Sequence, residues 1–365
     1  MKKILFILHL PPPVHGSSVI GQFIQESKVI NSEFSCRFIN LSTSTNFNNI
    51  GKVKLYKFYK YLAIIIQSIK QLIFFRPHLC YFAITVKGIG FYKDALIVMI
   101  VKIFGVKLVY HFHNKGVSTK QHKFFDNLLY RFVFNKVNII LLSKFLYRDI
   151  KKYVSENSIH YCPNGIPNIA KNIKIKSINK KIINILYFSN MIESKGVFVL
   201  LNACNILKNK EVEYKCTFAG GYGDINEKQF KLKLQELRLQ HRVTYVGKKF
   251  GAEKIPVFLN ADIFAFPTYY ETFGLVNLEA MQYELPVIST FEGGIPDIVI
   301  DGITGFLVRQ KDSYALAEKL ELLIHNKNLR EKMGKKGKMH YQENFTLKHF
   351  ENKMNKILNL CLVNT

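Results

Sequence analysis

Several elements that would assign a familiar chemistry are missing from this sequence. It has no tryptophan, and its six cysteines stand singly, without a CxxC pair or a Cys/His spacing typical of zinc sites. Scattered thiols of this kind are typical of a reduced, cytoplasmic protein. There is no D-x-D triplet to hold a divalent metal and no G-x-G-x-x-G dinucleotide fingerprint. No run of about 18 apolar residues occurs, which disfavours a membrane-spanning helix.

Acidic residues are scarce in the first half of the chain. Residues 1–165 contain 23 Lys and Arg against 6 Asp and Glu, and no acid occurs between Glu33 and Asp94. Nine basic residues in that interval are interleaved with aromatic and aliphatic ones, a pattern typical of an amphipathic helix lying on an anionic membrane surface. A core helix with solvated lysines is the alternative interpretation. A nucleic-acid partner is not predicted, because no known binding module is present.

The chain is long enough for two domains. Its 365 residues, 48% of them hydrophobic, can bury two cores of ordinary size. Short apolar runs, typical of strands buried on both faces, alternate with helical patterns and predict doubly wound parallel α/β domains. The first run follows a basic start and ends in three prolines, which indicates a buried strand rather than a signal peptide. The runs are 3–10, 79–85, 107–112 and 138–143 in the first half and 181–190, 214–221, 242–247, 261–268, 285–290 and 305–308 in the second.

The boundary between the domains is predicted near residue 166. A short strand pattern ends there in Asn164-Gly165, and the polar, basic stretch 169–181 has the composition of a linker. Two such domains would form a cleft between them, where ligands commonly bind. The expected division is a first domain 1–166, a second domain 167–344 and a crossover helix 345–365.

Polar residues follow two of the predicted strands in the first half. His15, Gly16 and Ser17 open a helix, where they could hold an anion or a polar acceptor, and simple capping by Ser17 or Ser18 is the alternative. His111 and His113 fall at another strand end, and His113 is the stronger functional candidate because it precedes a polar loop. No third ligand accompanies the two histidines, so they do not predict a metal site.

The stretch from Pro267 to Glu284 carries the densest functional signal. Glu271 lies in a loop, Gly274 allows close backbone approach, and Glu279 follows eight residues after Glu271 on a predicted helix. A glycine leading into a helix N-terminus is suited to a phosphate-bearing ligand. In the earlier turn 189–196, Lys195 is predicted at the start of a helix, where its amine and the helix dipole can act on a diphosphate.

The order and spacing of several segments resemble the GT-B fold glycosyltransferases, specifically the retaining family 4. The resemblance covers most of residues 181–310, and its most specific part is the pair of glutamates in an E-x7-E spacing. The first half matches more loosely, through PPPVHGSS, His113 and PNGIP. The resemblance implies two Rossmann-like domains facing across a cleft, with the C-terminal helix packing back on the first. The segments of the second half are SNMIESKG, FAGGYGD, VTYVGK, ADIFAFPTYYETFGLVNLEAMQYELPVIST, GGIPDIV and DGITGFLV.

The resemblance also implies roles for individual residues. Glu279 would bind the ribose hydroxyls of the donor nucleotide, and Glu271 would hold hydroxyls of the transferred sugar. Lys195 would stabilise the diphosphate together with backbone amides, which are those of Phe273, Gly274, Leu275 and Val276. The family's usual arginine before that lysine is replaced by Asn190, so another cation, such as Arg309 or a lysine of the first domain, would have to supply its charge. Glu271, His113 and Lys195 are therefore the catalytic candidates, and His15, Gly16 and Ser17 the acceptor-binding ones.

The predicted reaction is a metal-independent, retaining transfer from a nucleotide sugar, with a UDP-sugar preferred to a GDP-sugar and no cofactor. A cation and a helix dipole would stabilise the leaving diphosphate, and the placement of the two glutamates fits substrate holding better than glycoside hydrolysis. The expected acceptor is a lipid-linked glycan of bacterial surface polysaccharide synthesis, at the inner face of the membrane. The alternatives are a transferase acting on a soluble or protein acceptor, and a catalytically silent nucleotide-binding or scaffold protein.

Overall fold

The computed structural model describes residues 1–43, 55–169 and 182–363 and divides the chain into two compact units. The first unit combines Met1–Gly165 with Leu347–Thr365, and the second is Ile166–Thr346. The C-terminal helix is thus grouped with the first unit. The linker predicted at 169–181 lies, apart from Ile169, outside the described residues.

The first unit is built on a six-stranded parallel sheet with the order β2-β1-β3-β4-β5-β6. Its strands are β1 Lys3–Leu8, β2 Ser35–Asn40, β3 Leu79–Phe82, β4 Lys107–His111, β5 Asn138–Leu141 and β6 Ile159–Tyr161. Its helices up to Gly165 are α1 Gly16–Glu26, α2 Lys28–Glu33, α3 Leu55–Lys70, α4 Gly88–Ile103, α5 Val117–Lys120 and α6 Phe124–Val133. The side chains from Ile4 to Ile7 are fully buried, which explains why this strand is a continuous apolar run.

The second unit repeats this architecture with a parallel sheet of the order β12-β11-β10-β7-β8-β9. Its strands are β7 Ile183–Phe188, β8 Tyr214–Ala219, β9 Val243–Tyr245, β10 Ile263–Ala265, β11 Val287–Thr290 and β12 Gly305–Val308. Its helices are α7 Val197–Asn209, α8 Glu227–Glu236, α9 Lys254–Leu259, α10 Leu275–Gln282, α11 Ile295–Ile298, α12 Ser313–His325 and α13 Lys327–Asn344. Every strand run predicted in this half is therefore a strand, and every one except 305–308 is shortened at one or both ends.

The last helix, α14, spans Leu347–Val363 and returns to the first unit, where it contacts α2 and β4. The apolar positions that recur at helical spacing along its length are the buried ones. Its buried residues are Phe350, Met354, Ile357, Leu358 and Cys361.

The basic, aromatic stretch of the first half forms α3, which continues into a π-helical turn at Gln71–Phe75. This 21-residue segment, Leu55–Phe75, is long and apolar enough by length and composition to cross a membrane, and 17% of its most apolar window is buried. Lysines and glutamines interrupt this segment, so it is not an unbroken apolar run, and the expectation that no helix spans a membrane stays a prediction.

Candidate functional site

The candidate residues of the second unit gather at one edge of its sheet. In the strand order, β7 lies between β8 and β10, so the chain reverses direction across the sheet at β7 and β10. Such a switch point opens a crevice at the carboxyl ends of parallel strands. Lys195 follows β7, Glu271 follows β10, and the glycine-rich turn at Glu292 follows β11. The topology therefore brings together turns that are up to about a hundred residues apart in sequence.

Lys195 and Glu271 form an ion pair. The Lys195 Nζ donates to Oε2 of Glu271 at 2.8 Å and to the carbonyl oxygen of Tyr270 at 3.1 Å. Lys195 lies in a 3₁₀ turn two residues before α7, close to the predicted helix start. Both side chains remain about one-fifth exposed. The amine is therefore held at the sheet edge by a carboxylate while still open to a ligand.

Glu271 is held in its ionised form. Its other oxygen, Oε1, accepts hydrogen bonds from the backbone N–H groups of Thr272 and Phe273 at 2.9 and 3.4 Å. Burial raises the pKa of this carboxyl, but Lys195 and the two N–H groups outweigh burial and bring the pKa below its ordinary value. Glu271 is thus a negatively charged hydrogen-bond acceptor at neutral pH.

The turn after Glu271 is fixed by glycines. Gly274 has φ +88°, a left-handed conformation that favours glycine, and α10 begins at the next residue. A Cβ at Gly274 would lie 2.7 Å from Nδ2 of Asn277, whose buried side-chain amide has no hydrogen-bond partner in the described residues. The first N–H groups of α10 and this unpaired amide therefore lie beside one another, an arrangement suited to an anion.

Glu279, on α10, is paired with Lys254. The Lys254 Nζ donates to both carboxylate oxygens of Glu279, at 3.0 and 2.9 Å, and it lies 5.4 Å from the ring centre of Phe188 at the end of β7. The side chains of Lys254 and Glu279 are 30% and 26% exposed. Sequence reasoning missed Lys254, because nothing in its local sequence points to a site and only the fold brings α9 beside α10.

Asn190 bridges two turns of the site. Its Oδ1 accepts the backbone N–H of Gly221 at 3.2 Å, which joins the turn after β7 to the turn after β8. A Cβ at Gly221 would lie 3.3 Å from Cδ of Lys248 and 3.4 Å from Oδ1 of Asn190. The stem of Lys248 therefore lies beside Asn190. Sequence reasoning named Arg309 as a substitute cation and overlooked Lys248.

Glu292 is a further site residue that the sequence did not single out. Its side chain is 3% exposed, and its Oε1 accepts the backbone N–H of Glu271 at 3.1 Å. The side-chain amide of Gln310 donates to its other oxygen. The following Gly293 has φ +55° and lies against the carbonyl of Glu271, where a Cβ would be 2.4 Å from the oxygen. Glu292 and Gly293 thus fix the backbone that presents Glu271.

In the first unit, His15 caps α1. Its Nδ1 accepts the backbone N–H of Ser18 at 3.3 Å and lies 3.1 Å from Oγ of Ser17. Ser18 Oγ in turn accepts the backbone N–H of His15 at 2.9 Å and completes a capping box. The alternative that Ser17 or Ser18 is the N-cap is wrong, because the helix begins at Gly16 and the ring of His15 reaches the first turn.

Four histidines meet at the carboxyl edge of β1 and β4. The rings of His111 and His113 are 4.1 Å apart, and those of His9 and His15 are 5.8 Å apart. Burial, with the neighbouring His9 and His15, lowers the pKa of His113 to about 3, and burial with His15 lowers that of His9 to about 4. These rings are neutral at physiological pH.

The two strand-end histidines differ in exposure. His111 is fully buried, and its Nδ1 lies 2.6 Å from the hydroxyl of Tyr81. His113 is partly exposed. Of the two, His113 is therefore the ring that a ligand can reach. Among the described residues no group of three or more His, Cys, Asp or Glu is arranged to hold a metal ion.

The fold of the two units is that of the GT-B proteins, with two Rossmann-like parallel α/β units. The crystal structure of Anabaena Alr3699/HepE in complex with UDP and glucose matches with a TM-score of 0.73 at 16% identity, over 98% of this chain and 100% of that one. At this identity the likeness defines the fold alone.

The second unit carries the family signal. Residues 168–340 match the family model described as Glycosyl transferases group 1. This part of the chain, which includes the Lys195–Glu271 pair and α10, is therefore the part that is similar to the group 1 glycosyltransferases.

Curated relatives match over part of their length. The capsular polysaccharide biosynthesis glycosyltransferase CapM of Staphylococcus aureus is 32% identical over 182 residues, which is 48% of this chain and 46% of CapM. The amylovoran biosynthesis glycosyltransferase AmsK of Erwinia amylovora is 33% identical over 160 residues, 42% of this chain and 39% of AmsK. The matched region thus covers less than half the length of each of these two relatives.

Proposed function

We propose that this chain is a retaining, metal-independent family 4 glycosyltransferase that moves a sugar from a nucleoside-diphosphate sugar to a glycan. The observation that carries the proposal is the Lys195–Glu271 pair at the switch point, 2.8 Å apart, beside the start of α10. It combines a cation for a leaving diphosphate with an ionised acceptor for sugar hydroxyls. The group 1 match of residues 168–340 supports the same chemistry.

The donor is proposed to be a UDP-sugar. Glu279 receives the ribose hydroxyls, and Glu271 receives hydroxyls of the sugar. The diphosphate is bound by Lys195 and by the backbone amides at the start of α10, which are those of Phe273, Gly274, Leu275 and Val276. Solved structures of Anabaena HepE contain UDP and UDP-glucose, which supports uridine over guanosine. Lys254 holds the Glu279 carboxylate in place for this contact.

The charge that the family's usual arginine would carry is proposed to come from Lys248. Its stem lies beside Asn190, which occupies the arginine's position. The lysine and Lys195 then stabilise the negative charge that develops on the departing phosphate. Attack comes from the same face as departure, and the phosphate oxygen accepts the proton of the acceptor hydroxyl, so neither glutamate forms a covalent intermediate.

The acceptor is proposed to bind the first unit at His15, Gly16, Ser17 and His113. His113 is neutral at physiological pH, so its ring can hydrogen-bond a sugar hydroxyl without a charge to desolvate. The acceptor is a lipid-linked glycan of bacterial surface polysaccharide synthesis, and the enzyme works peripherally at the cytoplasmic face of the membrane. The names of CapM and AmsK and the excess of basic residues in the first half support this assignment.

Two other functions remain as candidates. A soluble or protein acceptor would use the same donor site. A catalytically silent protein that binds nucleotide is favoured by one observation, which is the neutral Asn190 in the diphosphate turn.

The proposal is tested by measuring nucleoside-diphosphate binding and donor hydrolysis separately. UDP should raise the melting temperature of the full chain, because a ligand that binds the native state stabilises it. Glu279→Gln should weaken UDP binding by about 10- to 100-fold, since it removes a charge-assisted hydrogen bond. Glu271→Gln should leave UDP binding nearly unchanged and lower UDP-sugar turnover, because its carboxylate contacts the sugar.

A matched control is Glu321→Gln, which breaks a comparable surface ion pair with Lys210 at the opposite end of α7. It should change neither measurement. UDP binding without turnover of any nucleotide sugar would favour the silent protein. Equal UDP affinity in the wild type and in Glu279→Gln would show that the ribose assignment is wrong.

A further inference from the structure

Three helices of the first unit lie side by side on one face of its sheet. The connections from β2 to β3, from β3 to β4 and from β4 to β5 all step in the same direction along the sheet. Right-handed crossovers in one direction put their helices on one face, which here are α3, α4 and α6. α3 contacts α4, and α4 contacts α6. We call the outer surface of these helices, with the turn Gln71–Phe75, the helical face.

Polar contacts tie the three helices together. The Tyr61 hydroxyl on α3 donates to the carbonyl oxygen of Lys93 on α4. Tyr92 on α4 donates to Oδ1 of Asp126 on α6 at 2.7 Å. Lys102 caps the end of α6, where its Nζ donates to two carbonyl oxygens at 2.7 and 2.8 Å. The helical face is therefore one ordered surface and not three independent helices.

More than half of the large apolar side chains that are exposed among the described residues belong to this face. Phe74 is 80% exposed, and Phe124 and Phe125 are each 76% exposed. Exposed apolar side chains gathered on the helices of one face mark an interaction site. The others are Leu55, Tyr56, Phe58, Tyr59, Leu62, Ile66, Ile73, Ile89, Tyr92, Leu96, Met99, Ile103, Phe104, Leu128 and Phe132.

The charges of the helical face have one sign. The acids on the three helices are Asp94 and Asp126, and both are buried, at 6% and 4% exposure. Asp94 accepts the backbone N–H of Thr85, and Asp126 accepts the Tyr92 hydroxyl. The exposed ionic groups of these helices are therefore cationic. The basic residues on them are Lys57, Lys60, Lys70, Lys93, Lys102 and Arg131.

A basic pocket lies where the helical face meets the amino ends of the strands. It has a volume of about 640 Å³, and Ile73 and Phe104 of the helical face form part of its wall. The remaining wall contains four basic side chains and no carboxylate. Those four are Lys2, Arg76, His78 and Lys107. The basic character of the face thus continues past the ends of the helices.

We propose that the helical face docks on an anionic phospholipid bilayer. The aromatic and aliphatic side chains enter the interface between headgroups and acyl chains, and the lysines and arginines, including those of the pocket, meet the lipid phosphates. The helical face exposes apolar groups and cations, and both of its acids are buried in the core. This combination complements an anionic lipid surface better than a neutral one. The inference rests on the membrane-bound acceptor proposed above and names the surface that reaches it.

The test measures co-sedimentation of the full chain with vesicles of phosphatidylcholine alone and of phosphatidylcholine with phosphatidylglycerol, at low and at high salt. The wild type should bind the anionic vesicles at low salt. The triple variant Phe74→Ser, Phe124→Ser, Phe125→Ser should lose at least about tenfold in vesicle affinity, because binding scales with inserted apolar area. The quadruple variant Lys60→Gln, Lys70→Gln, Arg76→Gln, Arg131→Gln should lose about fivefold for each charge removed.

The matched control removes three exposed apolar side chains from the second unit, in the variant Leu232→Ser, Leu322→Ser, Met339→Ser. It should bind vesicles as the wild type does. Hydrolysis of a UDP-sugar in solution is measured for every variant and should not change. The proposed docking surface and the proposed reaction are therefore tested independently of each other.

Three results would overturn the proposal. The first is that the triple and quadruple variants of the helical face bind anionic vesicles as tightly as the wild type does, or that the control variant loses as much affinity as they do. The second is resistance to alkaline extraction with protease protection of Leu55–Phe75, which would mean that this helix spans the bilayer. The third is a dimer in light scattering that the triple variant abolishes while the wild type ignores vesicles, which would assign the helical face to a second copy of the chain.

Discussion

Asn190 and Lys248 belong to different turns of the second unit and meet beside Gly221. An arginine at position 190 would bring a permanent charge, whereas Asn190 uses its Oδ1 to accept the Gly221 N–H at 3.2 Å. Lys248 follows β9, yet its stem lies against the same glycine. At the scale of single residues, this proximity is what makes Lys248 the cation proposed for the diphosphate.

Lys248→Met is expected to weaken UDP binding by about tenfold, because a charge-assisted contact to a phosphate is lost while the stem still covers Gly221. Lys248→Arg should retain most of the affinity. Titration calorimetry with UDP measures both, with Lys336→Met on α13 as an exposed control. Unchanged affinity in Lys248→Met would show that Lys248 does not contact the diphosphate.

The start of α10 shows how an element is positioned by one backbone conformation. Gly274 adopts φ +88° directly before the first helical residue, and the space beside it is filled by Asn277 and by Cγ of Glu271, which would be 3.5 Å from a Cβ. Each of these side chains belongs to the proposed donor site. The helix and the loop before it therefore depend on the absence of a side chain at this position.

Gly274→Ala is expected to lower the free energy of unfolding by about 1–2 kcal/mol and to reduce UDP-sugar turnover by more than tenfold. The loss of activity follows from displacement of Asn277 and Glu271 by the new methyl group. Gly302→Ala is the matched control, since Gly302 has φ +72° with no atom within 4 Å of its Cβ position. It should show the loss of stability in urea unfolding but nearly full turnover. A similar turnover in the two variants would contradict the argument.

On the scale of the whole molecule, the histidines of the first unit are expected to make its stability depend on pH. The first unit holds a group of neutral histidines at the carboxyl edge of its sheet, with the pKa of His9 lowered to about 4 and that of His113 to about 3. In the unfolded chain these groups return to 6.5. Between these values the unfolded chain binds more protons at the histidines than the folded one, so these histidines favour unfolding in acid. Burial raises the pKa of Asp94 in the same unit to about 7, and this single carboxyl acts in the opposite direction.

The urea midpoint of the first unit should therefore fall as the pH drops from about 6.5 toward about 4, with a contribution of about 1.4 kcal/mol per pH unit for each histidine. Above 6.5 both states are neutral, and the histidines contribute no pH dependence. His9→Gln should flatten the dependence of the midpoint on pH, measured by circular dichroism. His325→Gln, which removes an exposed histidine of the second unit, is the control. An equal slope in His9→Gln and the wild type would contradict this prediction.

The sequence did not predict β2 and α13, because their residue patterns are unusual for a strand and for a helix. β2, Ser35–Asn40, is an edge strand with one fully buried residue, so it lacks the continuous apolar run of β1. α13 is an 18-residue helix in which Met333, Gly334, Gly337 and Tyr341 are buried, and two glycines in a core-facing stripe carry little hydrophobic signal. The position of a helix of that composition is set by the groups that pack against it. For Gly334, this is the backbone of Glu284, whose carbonyl oxygen would be 1.8 Å from a Cβ.

The sequence alone determined the alternation of strands and helices, the two α/β units and the order of the turns that carry Lys195, Glu271 and Glu279. These features are local, because hydrophobic period and turn residues express themselves within about ten neighbouring positions. Only the tertiary structure decided which groups meet: Lys195 with Glu271, Lys254 with Glu279 and Lys248 with Asn190. These contacts join residues about 25 to 76 positions apart, and the strand order of the sheet, which no local pattern encodes, sets them.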